Sequence, residues 1–324
     1  MTSSRDRMNS REIADSAPKA IIFNIQRYCL HDGLGIRTTV FFKGCQLRCI
    51  WCCNPESFDP RIEIQFSESK CLFCGKCLTA CPKRAINPDL KNMGGYKIDG
   101  SVCDLCGKCI EVCPSGALHW VGKAMSVEEV YKEIMADLPF FRSSGGGVTF
   151  SGGEPLLQID FLQAIMKKCY RGKINTAIET CGYVPWENFK RILKWTNYVL
   201  YDIKHMDSKK HEKLTGVPNE LILENAQKLA KAKTAVIIRV PLIPGYNDDE
   251  KNMKELGKFV KSLPVKEVHL LPYHRLGKEK YKLAHCTYKL EDLQDMATTE
   301  TGRALIKKSS SILKSYGLKV FIGG

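Results

Sequence analysis

Eleven of the sixteen cysteines in this 324-residue chain stand in three regular arrays, and these arrays limit what the rest of it can fold around. Two are copies of one pattern, C-x2-C-x2-C-x3-C-P: "CLFCGKCLTACP" (Cys71, Cys74, Cys77, Cys81) and "CDLCGKCIEVCP" (Cys103, Cys106, Cys109, Cys113). The third, inside "CQLRCIWCCNPE", spaces Cys45, Cys49 and Cys52 as C-x3-C-x2-C and has no well-spaced fourth thiol. Cys53 adjoins Cys52, and neighbouring residues in a relaxed loop hardly bind one centre together. Residues 1–19, "MTSSRDRMNSREIADSAPK", are polar, lack the apolar core of a secretory signal, and read as a mobile tail. No uncharged apolar run approaches the ~18–20 residues that span a bilayer, so a cytoplasmic protein is expected. In a reducing compartment, clustered cysteines read as metal ligands and not as a disulfide scaffold.

The duplicated pattern is the bacterial ferredoxin signature. In it three tightly spaced thiolates wrap one [4Fe–4S] cube, and the fourth, before proline, ligates the other. Cys113 is therefore expected with Cys71, Cys74 and Cys77, and Cys81 with Cys103, Cys106 and Cys109. Zinc knuckles also use C-x2-C steps, but two identical halves with C-P endings favour cubes and hence one-electron relay. The three-cysteine array leaves one iron of a third cube open for a small bidentate ligand bearing amino and carboxylate groups.

Charge adds little. Lysine and arginine exceed aspartate and glutamate by 14, but that count takes thiols as neutral. Three cubes on thiolates lower it to roughly +9. No nucleic-acid-binding motif is present, and the lysines are scattered through helical segments as on a solvated surface. A basic docking face for an acidic protein is the sharper alternative.

Along the chain, "AIIFNIQRY" and "TTVFFKG" read as strands, and residues 60–120 form a cysteine-, proline- and glycine-rich segment without a long helical period. "SVEEVYKEIMADL" then opens a helix with a capping box, Ser126 and Glu129. Strand-like runs ("GVTFSGG", "INTAIETCG", "NYVLYDIKH", "AVIIRVPLI", "KEVHLLPYH", "LKVFIGG") alternate with amphipathic helical ones. This implies an α/β fold with a parallel sheet, as a partial or full barrel or a doubly wound sheet. Cys45, Glu154, Glu179, Lys204, Arg239 and His274 fall at the C-terminal ends of successive strands, which converge in a barrel. The expected domains are a tail (1–19), a barrel (20–59 and 121–324) and an insertion (60–120).

The triad, with Trp51 before its third cysteine, resembles that of the radical S-adenosylmethionine (radical SAM) superfamily. "SGGEP" (residues 151–155) is similar to the superfamily motif that binds the SAM amino group; its glycines, Gly152 and Gly153, would admit a close ligand, and Glu154 would accept from an ammonium. The resemblance narrows to the activating enzymes of glycyl radical enzymes. "DGLGIRTTVFFKGC", "WCCNPE", "GGVTFSGGEPLLQ", "ETCGY", "DIKHMD", "RVPLIPGYND" and "LLPYHRLGKEKY" follow that family's order from about residue 20 onward. Leu34 departs from it, standing where the family has proline.

The resemblance implies a partial (β/α)6 TIM-like barrel with an inserted α+β ferredoxin-like domain, three [4Fe–4S] clusters, and SAM. By that resemblance Lys204 with Asp202 lies beside the SAM carboxylate, and Glu179 and Thr180 with Asp202 hold SAM or a monovalent cation. His274 contacts SAM, Arg239 and Asn247 reach its ribose, and Trp51 is a shelf for adenine. Cys29, Cys169, Cys181 and Cys286 are expected as small apolar residues. The implied oxidoreductase takes an electron from reduced flavodoxin or ferredoxin, cleaves SAM to a 5′-deoxyadenosyl radical, and removes hydrogen from a backbone glycine of a partner enzyme. A radical SAM enzyme acting on a small molecule and an iron–sulfur electron carrier are the competing readings. A monomer is expected, and which glycyl radical enzyme is served is not legible.

Overall fold

The computed structural model describes residues 18–89, 95–232, 234–284 and 286–323. Of the expected tail, residues 1–17 lie outside the described residues, and Lys19 already belongs to a strand. β1 (Lys19–Cys29) runs antiparallel to β2 (Arg37–Phe42). The chain then leaves the sheet. β3 (Glu63–Phe66), β4 (Ile86–Asp89), β5 (Gly95–Ile98) and β6 (Leu118–Val121) form two small antiparallel pairs, β3 with β6 and β4 with β5. Ile64, Phe66, Cys77, Ile86, Cys109, Ala117 and Leu118 form a separate small core there.

β7 (Lys123–Ser126) returns to the main sheet beside β1. β8 (Gly147–Gly152), β9 (Asn175–Thr180), β10 (Tyr198–Asp202), β11 (Ala235–Leu242), β12 (Glu267–Pro272) and β13 (Lys319–Ile322) then add one after another beyond β2. All pairs from β2 to β13 are parallel. This order separates the alternatives left open by alternation alone. A doubly wound sheet reverses strand order at a switch point; here the parallel strands never reverse, as in the wall of a β/α barrel. Among the described residues β7 and β13 are the edges, so the wall is open.

Every residue of β2, "RTTVFF", is buried, as expected of a parallel strand covered on both faces. Phe42 meets Phe150 of β8 and Phe161 of the helix Ile159–Arg171 at ring separations of 6.2 and 5.9 Å. The helix Val127–Met135 starts on the capping box: Glu129 N donates to Ser126 Oγ, and Ser126 N donates to Glu129 Oε2.

Curvature brings distant loops together. β2 and β12 lie five strand positions apart, ~24 Å in a flat sheet. Yet Lys280, beyond β12, binds Glu56 at 2.8 Å and Asn54 at 2.9 Å in the loop after β2. Tyr281 OH reaches Cys49 O at 3.4 Å. At the opposite end, the wholly buried Arg37 donates to Thr149 Oγ1, Leu34 O and Asn175 Oδ1. Leu34 N donates to Tyr198 OH at 2.9 Å, a bond that proline, lacking an N–H, cannot make.

Candidate active site

The cysteine loop after β2 is seated by β8. Gly153 N donates to Phe42 O and Glu154 N to Gly44 O, both at 2.8 Å. A Cβ on Gly152 would sit 2.3 Å from Phe42 N, and one on Gly153 2.2 Å from Gly44 O. The glycine pair thus admits the chain's own backbone just before Cys45, where sequence reasoning had expected a ligand to need the space. Further along, Arg48 N and Ile50 N bind Thr215 O and Leu214 O, and Trp51 is only 7% exposed within the main core.

The three thiols of the loop sit in one electrostatic neighbourhood. Burial pushes the Cys49 thiol up to about 12, against the pull of Lys204. Burial also raises Cys52, with Cys49 and Cys45 adding to it. Cys45 is held below its ordinary value, first by a hydrogen bond from the Cys181 thiol, which outweighs burial. Asn54 N approaches Cys52 Sγ at 3.4 Å. Soft thiols facing a lysine suit an anionic thiolate-held cube. Among the described residues no three Cys, His, Asp or Glu side chains converge on a single metal ion; thiolates of a cube stand at its corners, wider apart than the ligands of one ion.

Around this loop stands a chain of buried charges from successive strand ends. Glu154, wholly buried, accepts from Thr180 Oγ1 with both oxygens (2.9 and 2.8 Å), from Leu156 N at 3.2 Å, from Cys181 N at 2.9 Å and from Cys181 Sγ at 3.0 Å. Burial raises its pKa against these donors. With its lone pairs so occupied, the carboxylate is a scaffold and has no acceptor left for an ammonium, contrary to expectation. Glu179 Oε2 accepts from Ser151 Oγ at 2.5 Å, and its Oε1 lies 3.0 Å from Arg239 Nη1. Lys204 donates to Asp202 Oδ2 at 2.7 Å. Burial opposes the Lys204 charge, but Asp202, Cys49 and Cys181 outweigh it and raise its pKa.

Two buried polar atoms in this set have neither a hydrogen-bond nor an ion-pair partner, Asp202 Oδ1 and Arg239 Nε. Buried polar groups are normally satisfied, so these are the atoms a bound polar molecule would engage. Asn247 differs from expectation. Its Nδ2 donates to Lys204 O and Pro241 O while Oδ1 accepts from Ile243 N, which leaves no N–H for a ribose. It fixes the backbone under Lys204 instead. His274 is exposed at the end of β12, with Nε2 3.9 Å from Cys53 Sγ.

In the inserted segment, a small pocket is lined by Cys71, Cys74, Cys77 and Cys113 with Phe66, Leu72, Tyr96 and Leu118. Cys77 feels the charges of Cys71 and Cys113, and Cys109 those of Cys103, Cys81 and Cys106. The two repeats share an unusual backbone: Phe73 and Leu105, non-glycine residues, have φ of 51° and 58°, and Gly75 and Gly107 follow at 71° and 77°. Phe73 N and Ala85 N approach Cys71 Sγ and Cys81 Sγ at 3.3 Å. Turns of this kind aim successive N–H groups at an anion.

Sequence reasoning missed three contributors. Ser151 stands in "SGGEP" with no role legible from its neighbours, and Cys181, which reads as an apolar filler, lies two residues after Glu179 in "ETCG". Asp32 accepts from Thr39 Oγ1 at 2.6 Å and acts electrostatically on both Glu179 and Arg239; only its place in "DGLGIR" hinted at it.

Comparison with known proteins follows this geometry. The radical SAM superfamily profile matches residues 39–257. The chain is 45% identical over 272 residues to an isethionate sulfite-lyase activating enzyme of Desulfovibrio desulfuricans, covering 82% of this chain and 87% of that one. It is 44% identical over 277 residues to a trans-4-hydroxy-L-proline dehydratase activating enzyme of Clostridioides difficile, covering 85% and 91%. Among solved structures, a radical SAM methyltransferase from Sphaerobacter thermophilus shares the fold, with a TM-score of 0.51 at 12% identity over 98% of this chain and 82% of that one. The chain belongs to the radical SAM superfamily and, within it, to the activating enzymes of glycyl radical enzymes.

Proposed function

We propose that the protein binds SAM at the mouth of the open barrel and generates a glycyl radical on a partner enzyme. The observation that carries this reading is Asp202, whose charge acts on Cys49 of the triad and on Arg239 alike, with Asp202 Oδ1 and Arg239 Nε buried and without partners. Cys45, Cys49 and Cys52 would hold a [4Fe–4S] cube, which would supply the electron for reductive cleavage of SAM and, through it, for hydrogen removal from the partner's glycine.

The chain's own residues then have distinct tasks. Lys204, held by Asp202, pairs with the methionyl carboxylate. With Glu154 saturated, the backbone carbonyls of Gly152 and Gly153 are left to accept from the ammonium. Arg239, steadied by Glu179 through Nη1, presents its free Nε–H toward the ribose. Glu179, Thr180 and Asp202 are also the set a monovalent cation would use. Trp51 packs the floor of the adenine site, and His274 approaches from the open side.

Residues 20–59 and 121–324 serve as the barrel, and 60–120 as a ferredoxin-like insertion holding two further cubes, on Cys71, Cys74, Cys77 and Cys113 and on Cys103, Cys106, Cys109 and Cys81. The cysteine lining of the pocket and the repeated backbone conformation support this. An electron from reduced flavodoxin or ferredoxin would enter there in a cytoplasmic monomer. The partner is a glycyl radical enzyme; the relatives' names, a sulfite-lyase and a dehydratase, do not choose among its types.

The test is anaerobic. Iron and sulfide are reconstituted, dithionite and SAM are added, and 5′-deoxyadenosine is measured for wild type and Cys49→Ala. Deoxyadenosine from the wild type alone is expected. About twelve irons per chain with no deoxyadenosine from either would overturn the reading in favour of an electron carrier.

A further inference from the structure

The loop that carries Cys45, Cys49 and Cys52 is held to the barrel wall at its start and middle. Glu154 N binds Gly44 O, and Thr215 O and Leu214 O take the N–H groups of Arg48 and Ile50. Past Cys52 the chain makes the short turn Pro55–Ser57, tied back by Gly44 N donating to Ser57 O. Its other partners come from the far side of the mouth, beyond β12.

There the helix Lys278–Leu283 lies against the triad loop at three successive places. Tyr281, 4% exposed, donates through its hydroxyl to Cys49 O at 3.4 Å. A Cβ on Gly277, the residue before the helix, would stand 2.9 Å from Cys53 Cα and 3.1 Å from Cys52 O. Lys280 Nζ lies 2.8 Å from Glu56 Oε1 and donates to Asn54 Oδ1 at 2.9 Å. A hydroxyl, a bare backbone and a cation thus meet the loop before, at and after its third cysteine.

Charge makes Lys280 the critical member. The Glu56 side chain is 14% exposed, and its Oε2 is buried without a hydrogen-bond partner. A carboxylate so placed depends on its cation, and Lys280 is the ion-pair partner it has. A thiolate-held cube on Cys52 adds negative charge four residues from Glu56, and like charges repel. Without Lys280 the carboxylate would turn out to water and draw the turn after Cys52 with it.

We propose that Lys280 is a positioning residue for the open cube: paired with Glu56 and bound to Asn54, it holds the Cys52 end of the loop from across the mouth. The proposal rests on the reading that Cys45, Cys49 and Cys52 hold that cube.

The experiment compares wild type, Lys280→Met, Lys280→Arg, Glu56→Gln and the double variant Lys280→Met with Glu56→Gln, all as reconstituted holoproteins. Iron is counted, an iron chelator is added anaerobically to the dithionite-reduced protein, and the decay of the cluster signals is followed by electron paramagnetic resonance. The open cube is recognised as the signal that SAM perturbs, and the signals indifferent to SAM serve as the internal reference. In Lys280→Met the SAM-responsive signal should decay about threefold to tenfold faster, with the reference unchanged. Lys280→Arg, which keeps the cation, should recover most of the wild-type lifetime. In the Glu56→Gln background, Lys280→Met should add little, because the two residues act as one pair.

A loaded Lys280→Met protein with the wild-type decay overturns the proposal, as does equal acceleration of every signal or full additivity of the two substitutions. If Lys280→Met does not load or fold, a wild-type decay in Glu56→Gln overturns it equally. A wild type without any SAM-responsive signal overturns the underlying reading, and the proposal with it.

Discussion

The two places where cysteines gather use the same ligand atom in opposite surroundings. At the barrel mouth, the thiols are wired into the main core and ringed by Glu154, Glu179, Asp202, Lys204 and Arg239, all supplied by strand ends. In the insertion, the cavity around Cys71, Cys74, Cys77 and Cys113 has apolar walls, and Lys76 is its one charged lining residue. Leu72 and Phe73 there are 67% and 51% exposed. A wall of charges with unfilled hydrogen-bonding atoms is built to grip a polar molecule. An apolar wall close to solvent insulates a charge carrier and grips nothing. On the proposed function, the barrel would hold the chemistry and the insertion would pass electrons to it.

The sharpest way to break this contrast is to remove thiols from each region. Cys49→Ala should abolish dithionite-driven deoxyadenosine. Cys74→Ala with Cys106→Ala should lose up to about eight of about twelve irons yet keep dithionite-driven deoxyadenosine; loss of SAM cleavage in that double variant would erase the distinction. Next in size is the cation pair. Lys204→Met strands Asp202 in a buried site and should cost about 3–5 kcal/mol in denaturant unfolding, whereas Lys76→Met at the insertion cavity should leave the unfolding midpoint in place.

A smaller effect is expected from Glu154→Gln. The amide keeps one oxygen, so its NH2 faces the N–H of either Leu156 or Cys181, and about 1–3 kcal/mol of stability should be lost. The smallest concerns pH. Burial holds the Cys49 thiol at about 12 and the Cys109 thiol at about 11, both above the ordinary 9.0. Raised values keep both thiols protonated near neutrality, and iron loading must release those protons. Reconstitution should therefore speed up as pH rises from about 7 to 9 in both regions with similar slopes, because both thiols titrate above that range, and should be slower at the triad at any one pH. A rate at the triad that does not rise with pH in stopped-flow absorbance would break this expectation.

Local patterns carried much of this design. The ligand spacings, the Ser126–Glu129 cap and the succession of strands were legible because each is set by neighbours in sequence. What was not legible depends on which strand end faces which. Glu154 reads as an ammonium acceptor until Thr180 and Cys181 are seen to fill its lone pairs, and these lie 26 and 27 residues away. Asn247 reads as a polar contact until its amide is found spent on Lys204 O, 43 residues back. Strand order was open for the same reason, since β–α alternation is common to both topologies and pairing decides between them.

The close approach at Gly153 has a consequence for heredity. A single methyl there would collide with Gly44 O and push the loop carrying Cys45 off its seat. The two segments thus cannot drift apart independently, although about a hundred residues separate them. A chimera joining one homologue's cysteine loop to another's β8 would carry both motifs letter-perfect and still inherit a mismatched joint.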